Sequence, residues 1–364
     1  MLLRIKYFIK ENLDKLDGVL VKLLSGSRFT SGIYYLLFSK EFGREQQAVL
    51  KGRLRYKASK RDNTSIPVLR RNIHRIEKGL IMRPRKSTFG KAYIELTVNA
   101  YEDLVNSSAA NLEELKWSYD VLSAYFSAVE VSGKIERLHN KFKSLETTVQ
   151  TKLAAKSETS GTEFFQTQTA YSPYSLDQRV TSDISYDDFL SLVKQRRSIR
   201  WFEDKEVSMA DVNKAINAAA FAPSACNRQP FRFISTVVRE KATRILDCAN
   251  GTSGFADNAP AAIAVVGDLS NYPLERDRHL IYIDSSLASM QLMLAFETIG
   301  LTSCPINWPD IESNERVIES LLRLEKHERV IMLMAVGYGL RDGCIPYSQK
   351  KNSSLLNSEF NNVL

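Results

Sequence analysis

Apolar residues in the first half of the chain recur three or four positions apart. Between residues 1 and 24 lysines separate them, and this spacing predicts an amphipathic helix. Such a stripe either packs into a core or lies on a membrane surface. Residues 33–58 and 66–150 are predicted to be mostly helical, because 93–145 has no Pro, few Gly and much Glu, Lys and Leu. The apolar residues of the first stripe are Ile5, Phe8, Ile9, Leu13, Leu16, Leu20 and Leu23.

The second half has a different pattern, in which fully apolar runs alternate with helical stretches. Fully apolar strands that alternate with helices predict a sheet with both faces covered. In the most apolar stretch, 280–299, Asp284, Gln291 and Glu297 indicate a buried core helix and not a membrane span. The predicted strands are 231–238, 261–267 and 330–337, and the predicted helices are 186–197, 208–221, 240–249, 280–299 and 311–324.

A polar stretch separates the two patterns. Residues 156–175 are rich in Ser, Thr and Gln and contain a Gly and a Pro, which is typical of a linker. A length of 364 residues is enough for about two domains. We therefore predict a helical, basic region at 1–155, a linker at 156–180 and an α+β domain at 181–364.

Composition excludes several classes of protein. With 44% apolar and 25% charged residues the chain is not a disordered polymer. Its four cysteines show no C-x-x-C spacing, which favours reduced thiols in the cytoplasm over disulfides or a zinc site. The first residues lack a signal-peptide cleavage site, and charges interrupt every long apolar run, so neither a signal peptide nor a membrane span is expected.

The net charge of +8 is unevenly distributed. Residues 40–91 hold sixteen Lys or Arg against four acidic residues, an excess of twelve, so the remaining residues sum to −4. This basic segment either faces an anionic membrane or polyanion, or is a solvated helical surface. Specific nucleic-acid binding is not predicted.

Two neighbouring motifs carry candidate chemistry. In the first, Arg196, Arg197, Ser198 and Arg200 lie at the end of a predicted helix. Guanidinium groups so close together either bind an anion such as a phosphate or point into water. The second motif, residues 219–233, is a helix of small residues that ends at Pro223 and leads through a polar loop into a strand. Such a loop either presents amides to a flat ligand or is an ordinary turn.

Motifs for nucleophilic and metal-dependent catalysis are absent from the sequence. It contains no G-x-S-x-G, no H-E-x-x-H and no Walker loop, and its four histidines do not cluster. The i, i+3 spacing of His74 and Glu77 suits a metal less well than a local ion pair. No metal site is predicted.

The two motifs and two later segments together resemble the FMN-dependent nitroreductase-like family. R-R-S-x-R-x-F precedes A-P-S-x-x-N-x-Q-P-F-x-F, and GLTSCPINWPD at 300–310 and MAVGYGLRDGCIPYSQKK at 334–351 follow in the family's order. The resemblance covers about residues 183–364. It implies a mixed sheet flanked by helices and a homodimer with FMN at the interface.

The resemblance also implies a set of cofactor-binding residues. The opening motif would hold the FMN phosphate and ribityl chain, and Arg200 would lie at the pyrimidine edge of the flavin. The polar loop would approach from the other protomer, and a turn at 305–307 would face flavin N5, with the backbone of Asn307 supporting the chemistry there. The tail reads KKN where family members often have K-x-R, which leaves the register of its phosphate-binding lysine open. The implied residues are Arg196, Arg197, Ser198, Arg200, Pro223, Ser224, Ala225, Asn227, Gln229, Pro305, Ile306, Asn307, Lys350 and Lys351.

The activity implied by the resemblance is hydride transfer from NADH or NADPH through flavin N5 to a small electron-poor acceptor, such as a nitro, quinone or enone compound. This chemistry needs no catalytic side chain. The alternative is that the basic helical half docks on a membrane or polyanion, peripherally at the membrane in the first case, with the flavin domain as scaffold or redox sensor.

Overall fold

The computed structural model describes residues 2–39, 41–59, 66–155 and 170–358. Most of the predicted linker, residues 156–169, lies outside the described residues. The chain forms two compact units. The helical unit comprises Met1–Pro173, Asp268–His279 and Pro309–Arg329, and the sheet unit comprises Tyr174–Gly267, Leu280–Trp308 and Val330–Leu364. The helical unit thus includes two segments from the second half of the chain, and the division at 156–180 stays a prediction.

The elements follow one another along the chain in the order of the two predicted patterns. They are α1 (Leu2–Leu24), α2 (Arg28–Leu37), α3 (Gly43–Ser59), α4 (Ile66–Leu80), α5 (Ile94–Asn106), α6 (Leu112–Ala128), α7 (Lys134–Ser144), α8 (Glu146–Ala154), α9 (Tyr186–Gln195), α10 (Met209–Ala219), β1 (Phe231–Thr236), α11 (Arg239–Leu246), β2 (Ala261–Asp268), α12 (Leu280–Thr298), β3 (Thr302–Asn307), α13 (Glu312–Leu322), β4 (Glu328–Gly337) and α14 (Ser353–Leu356).

The core of the helical unit is built from one face of each helix from α4 to α8. Ile73 and Ile76 of α4 are fully buried, as are Tyr101 of α5 and Leu122 of α6. Asn111 fixes where α6 begins, because its side chain accepts the backbone N–H of Glu114. The helical spacing predicted over 66–150 is confirmed, with turns between the helices.

The two later segments join the helical unit through ion pairs and a close backbone approach. Arg44 of α3 donates to Glu312 and Glu319 of α13 at 2.8 Å each, and Arg53 pairs with Glu275. A Cβ on Gly52 would lie 2.8 Å from the backbone of Leu269. Part of the basic segment therefore pairs with acidic residues of the same chain.

Four apolar residues of the α1 stripe are exposed to solvent. Phe8, Leu13, Leu16 and Leu23 are all exposed, so their side chains do not pack into a core. Among the described residues no helix is both long and apolar enough to cross a membrane.

The sheet unit contains a four-stranded sheet in the order β1-β2-β4-β3. β1 pairs antiparallel with β2, and β3 pairs antiparallel with β4. Residues 261–267 of β2 are buried, as expected of a strand covered on both faces. The predicted α+β class is confirmed, as are the three predicted strands, while β3 was not predicted as a strand.

Helix α12 is buried on one side only. Ala288, Leu292 and Phe296 are fully buried, whereas Ile283 and Leu287 on the opposite side are about half exposed. The predicted buried core helix is confirmed for the inner face, where Asp284 and Glu297 are also buried, and the outer face is open. Its composition could not reveal this, because both faces are apolar.

Candidate functional site

The first arginine motif lies in an extended segment pinned on both sides. Helix α9 ends at Gln195, and Ser198 then forms a parallel bridge with Ser303 of β3, where the Ile199 N–H donates to the Ser303 carbonyl at 3.1 Å. On the other side the Glu203 N–H donates to the Tyr338 carbonyl at 2.8 Å. The motif is therefore held against the ends of two strands.

Asn258 holds the middle of this segment. Its side-chain amide donates to the Arg200 carbonyl at 2.8 Å and accepts the Phe202 N–H at 3.1 Å. The paired bonds fix the backbone on both sides of Trp201. Sequence reasoning missed Asn258, because a single Asn in a loop carries no motif signal.

Two polar atoms beside this bridge are buried without a hydrogen-bond partner among the described residues. They are Nε of Arg196 and Oγ of Ser303. Buried donors are normally satisfied, and an unpaired one costs about 1–3 kcal/mol. The site therefore offers two donors to an acceptor that the chain itself does not supply.

Arg196 and Arg200 also affect the thiol of Cys304 on β3. Burial raises the pKa of Cys304, and the positive charges of Arg200 and Arg196 partly oppose that rise. Both positive charges therefore act on the residue that precedes 305–307. The motif and β3 are neighbours in space as well as through backbone bonds.

The C-terminal tail reaches the same region. Nη2 of Arg197 donates to the Pro346 carbonyl at 2.7 Å and also to the Tyr347 carbonyl. This contact lies a few residues before Lys350 and Lys351, which are both exposed. The two basic motifs predicted for a phosphate are thus joined through Arg197.

The second motif forms a strained loop after α10. Cys226, Asn227 and Gln229 all have positive φ values, of 55°, 48° and 48°. Non-glycine residues rarely adopt this conformation, and where they do it is often at a functional site. The strain is compatible with a binding role for residues 223–229.

Hydrogen bonds hold this loop in place. The Ala225 N–H donates to Asp284 of α12 at 3.0 Å, and the Gln229 N–H donates to Oγ of Ser224 at 3.0 Å. The Gln229 side chain donates to the Ala220 carbonyl at 2.7 Å, so it closes the end of α10. Pro223 lies in the turn that leads into the loop.

Pro305, Ile306 and Asn307 form the second half of β3, paired with 332–334 of β4. The prediction of a turn at these positions is wrong, because the strand continues to Asn307. Asn307 is exposed at the strand end, while Ile306 is buried. The exposed end of the strand still leaves Asn307 available to a ligand.

A cavity of about 280 Å³ opens beside Arg200. Gln195, Trp201, Glu297 and Cys344 contribute to its lining. Nε2 of Gln195 donates to Oε2 of Glu297 at 3.1 Å, and burial raises the pKa of Glu297, opposed by that bond and by Arg196. The sequence analysis used Glu297 only as an indication of a core helix. Its position beside this cavity depends on the tertiary structure.

A model of the nitroreductase family matches residues 193–250 and 236–338. A relative in Archaeoglobus fulgidus, with the provisional name NADH dehydrogenase/NAD(P)H nitroreductase, is 31% identical over 42% of this chain and 86% of its own length. An NAD(P)H nitroreductase assigned in Bacillus subtilis is 26% identical over 45% of this chain and 94% of its own. Iodotyrosine deiodinase 1 of Homo sapiens is 24% identical over 45% of this chain and 65% of its own length.

Two solved structures are also similar. The FMN-dependent nitroreductase of Clostridium difficile R20291 has a TM-score of 0.39 and 26% identity, and covers 48% of this chain and 99% of its own. A nitroreductase family protein of Streptococcus pneumoniae TIGR4 has a TM-score of 0.40 and 26% identity, with coverage of 47% and 99%. The family match and the coverage of the Archaeoglobus relative establish that this chain belongs to the nitroreductase family of oxidoreductases.

Proposed function

We propose that the protein is an FMN-dependent oxidoreductase that takes a hydride from NADH or NADPH and delivers it to a small electron-poor acceptor of the nitro, quinone or enone type. The observation that carries the proposal is the pair of unsatisfied buried donors, Nε of Arg196 in the motif and Oγ of Ser303 in the strand bridged to it. Relatives that cover the matched region have NAD(P)H nitroreductase in their names. Together these favour an anionic redox cofactor in this segment.

The residues of the site suit FMN in chemical type. Arg196, Arg197 and Ser198, with Lys350 or Lys351 from the tail, would hold the phosphate, since guanidinium groups give charge-assisted, forked hydrogen bonds to phosphate oxygens. Bound FMN would supply a hydride-accepting and hydride-donating centre at N5. Residues 223–229 would contact the cofactor from the partner subunit, and Pro305, Ile306 and Asn307 would line its edge.

Arg200 has the clearest electrostatic role. Asn258 orients its backbone, and its side chain lines the cavity. A fixed cation there favours negative charge that develops next to it, which is how preorganised charges assist a reaction. Asn307, an exposed residue at the strand end, would orient a ligand through its backbone.

We also propose a homodimer. The outer face of α12 forms an open depression of about 470 Å³ lined by Tyr282, Ile283, Ser286, Leu287 and Met290. Small-molecule sites usually enclose about 300–1,000 Å³. The 280 Å³ cavity beside Arg200 is below that range, which supports a site completed by a second copy of the chain.

Polyanion docking through residues 40–91 is not favoured. Arg44, Arg53 and Arg70 of this segment each pair with a glutamate of the same chain. Arginines that are paired within the chain are less available to bind an external polyanion. A cytoplasmic location is proposed from the four free cysteines.

Flavin content tests the proposal. Protein purified without added flavin is expected to absorb in the visible range as a flavoprotein, and the double variant Arg196→Ala with Ser198→Ala should lose most of that absorbance. Arg244→Ala is the matched control, because Arg244 is an exposed arginine on α11 of the same unit. A colourless wild type that also fails to bind added FMN would contradict the proposal.

Reduction by each nicotinamide separates the two donors. NADH and NADPH are added separately under anaerobic conditions, and loss of the oxidised flavin band is followed. At least one should bleach the band, and addition of a nitro or quinone compound should then restore it. A flavin that neither nucleotide reduces would exclude NAD(P)H as the donor.

A further inference from the structure

The first two helices present apolar side chains to solvent along their length. On α1, Phe8 is 68% exposed, Leu16 57% and Leu23 70%. On α2, Phe29 is 78% exposed and Leu36 80%. We call the exposed apolar residues of these helices the α1–α2 surface. It comprises Tyr7, Phe8, Leu13, Leu16, Val19, Val21, Leu23, Phe29, Tyr35, Leu36 and Leu37.

Polar contacts fix the two helices to each other. Ser27 caps α2 by accepting the Thr30 N–H, and Oγ1 of Thr30 donates to the Leu24 carbonyl at 2.7 Å. The Tyr34 hydroxyl donates to Asp17 of α1. No side chain of α2 is buried, and none is buried among the α1 side chains at positions 6–8, 11–13 and 15–24. The helices therefore form a defined pair whose apolar groups remain uncovered.

The charges around this surface are mainly positive. Lys6, Lys22 and Arg28 are exposed, and Lys15 is exposed although paired with Glu11. The sequence of α1 contains five basic residues against three acidic ones. Exposed apolar patches of this extent mark interaction sites, and a basic flank selects an anionic partner.

We infer that the α1–α2 surface docks the protein on an anionic lipid bilayer, with both helices lying in the interfacial plane. An amphipathic helix with lysines beside an apolar stripe binds in this way by burying the stripe at the acyl boundary while the cations contact headgroups. Tyr35 of α2 suits the interface, where amphipathic rings are favoured. The inference is independent of the proposed flavin chemistry.

Charge complementarity favours a bilayer over a second copy of the chain. Two α1–α2 surfaces facing each other would bring like-charged flanks together, whereas anionic headgroups neutralise them. Neither helix can span the bilayer, so the contact is peripheral. Binding should therefore weaken with salt but persist in part through the apolar groups.

Vesicle co-sedimentation of the full chain tests this inference. The probes are vesicles of phosphatidylcholine alone and vesicles that also contain phosphatidylglycerol. We expect the wild type to sediment with the anionic vesicles. Leu16→Glu should bind at least about tenfold more weakly, because it puts a charge where membrane binding would bury an apolar side chain. Val317→Glu is the matched control, because Val317 is 56% exposed on α13 and lies outside the surface.

Several outcomes would overturn the inference. They are a wild type that stays in solution with both kinds of vesicle, a Leu16→Glu variant that binds as the wild type does, or an equal loss in Val317→Glu. Size-exclusion chromatography without lipid tests whether a second copy of the chain binds this surface instead. Self-association of the wild type that Leu16→Glu abolishes, with no vesicle binding, would assign the surface to a second copy. Thermal unfolding of each variant checks that the exposed substitutions leave the fold intact.

Discussion

At the scale of single residues, the site is defined by polar groups that the chain buries without satisfying. Oε1 of Glu297 and Nε of Arg196 are both buried with no hydrogen-bond partner among the described residues. Such groups cost stability, and proteins retain them where a ligand or a reaction uses them. One of these groups is on α12 and the other is in the arginine motif, so this is the region to test by single substitutions.

Replacing Glu297 by Gln should stabilise the protein at neutral pH. Burial raises the pKa of Glu297 above its ordinary value of 4.5, so the folded state favours the neutral carboxyl and loses stability as pH rises through the raised pKa. Glu297→Gln removes that ionisation and still lets Gln195 donate. We expect a gain of about 1 kcal/mol near neutral pH that vanishes below the ordinary value.

The measurement is thermal unfolding of both proteins from acid to neutral pH. Equal stability of the two at neutral pH, or a gain that is larger in acid, would contradict the burial argument. Glu203→Gln serves as the control, because it makes the same Glu→Gln change in the segment that follows the arginine motif.

Arg44 connects residues from distant parts of the chain. Its hydrogen bonds to Glu312 are the main reason that the pKa of Glu312 falls to about 2. A lowered pKa means that the pair stabilises the fold above the ordinary pKa of 4.5 and that this contribution is lost as pH falls toward 2. Arg44→Ala should cost about 1 kcal/mol at neutral pH, since the pair is partly exposed and screened.

The loss should shrink as acid protonates Glu312. Urea unfolding of wild type and variant at neutral and acid pH measures it, and Lys51→Ala on the same helix is the control, because Lys51 is exposed. A double cycle with Glu312→Gln should give less than additive losses. Additive losses would mean that the two side chains do not interact.

At the scale of elements, a glycine decides how α3 packs. A side chain at Gly52 would meet the backbone of Leu269 at 2.8 Å, whereas nothing lies within 4 Å of Gly32 in α2. Gly52→Ala should therefore destabilise the protein by about 1–3 kcal/mol through overpacking. Gly32→Ala should be neutral or stabilising by up to about 1 kcal/mol, because alanine favours helices.

Chemical unfolding of the two variants in parallel checks this pair. A stabilised Gly52→Ala would show that α3 and residue 269 can separate without cost. Both substitutions are Gly→Ala within helices, so their difference isolates the contact from helix propensity.

At the scale of the whole molecule, the outer face of α12 should control assembly. Leu287→Asp places a charge in the middle of the apolar depression and should shift the protein from dimer to monomer, with lower flavin occupancy in the same sample. Val238→Asp is the control, because Val238 is exposed elsewhere in the sheet unit. Light scattering after size-exclusion chromatography reports the mass. A wild type that is monomeric and fully loaded with flavin would contradict the proposal that a second copy completes the site.

Local pattern predicted the elements that have strong periodicity. The strands at 231, 261 and 330 and the helices around them are confirmed, because fully apolar runs and 3.6-residue spacing are local signals. The expectation of a turn at 305–307 came from the family resemblance alone, and no local pattern predicts a strand there. The pairing of β3 with β4 supplies the hydrogen bonds that make it a strand.

The sequence by itself determined the α+β class, the helical first half and the order of the four motifs that identify the family. These depend on neighbouring residues, whose spacing the backbone converts directly into helix or strand. Tertiary structure alone decided that Arg44 and Arg53 pair with glutamates of residues 268–329, that α12 keeps one face open, and that α1 and α2 remain uncovered. Such contacts join residues more than 200 positions apart, and burial depends on which surfaces meet, so no local pattern can specify them.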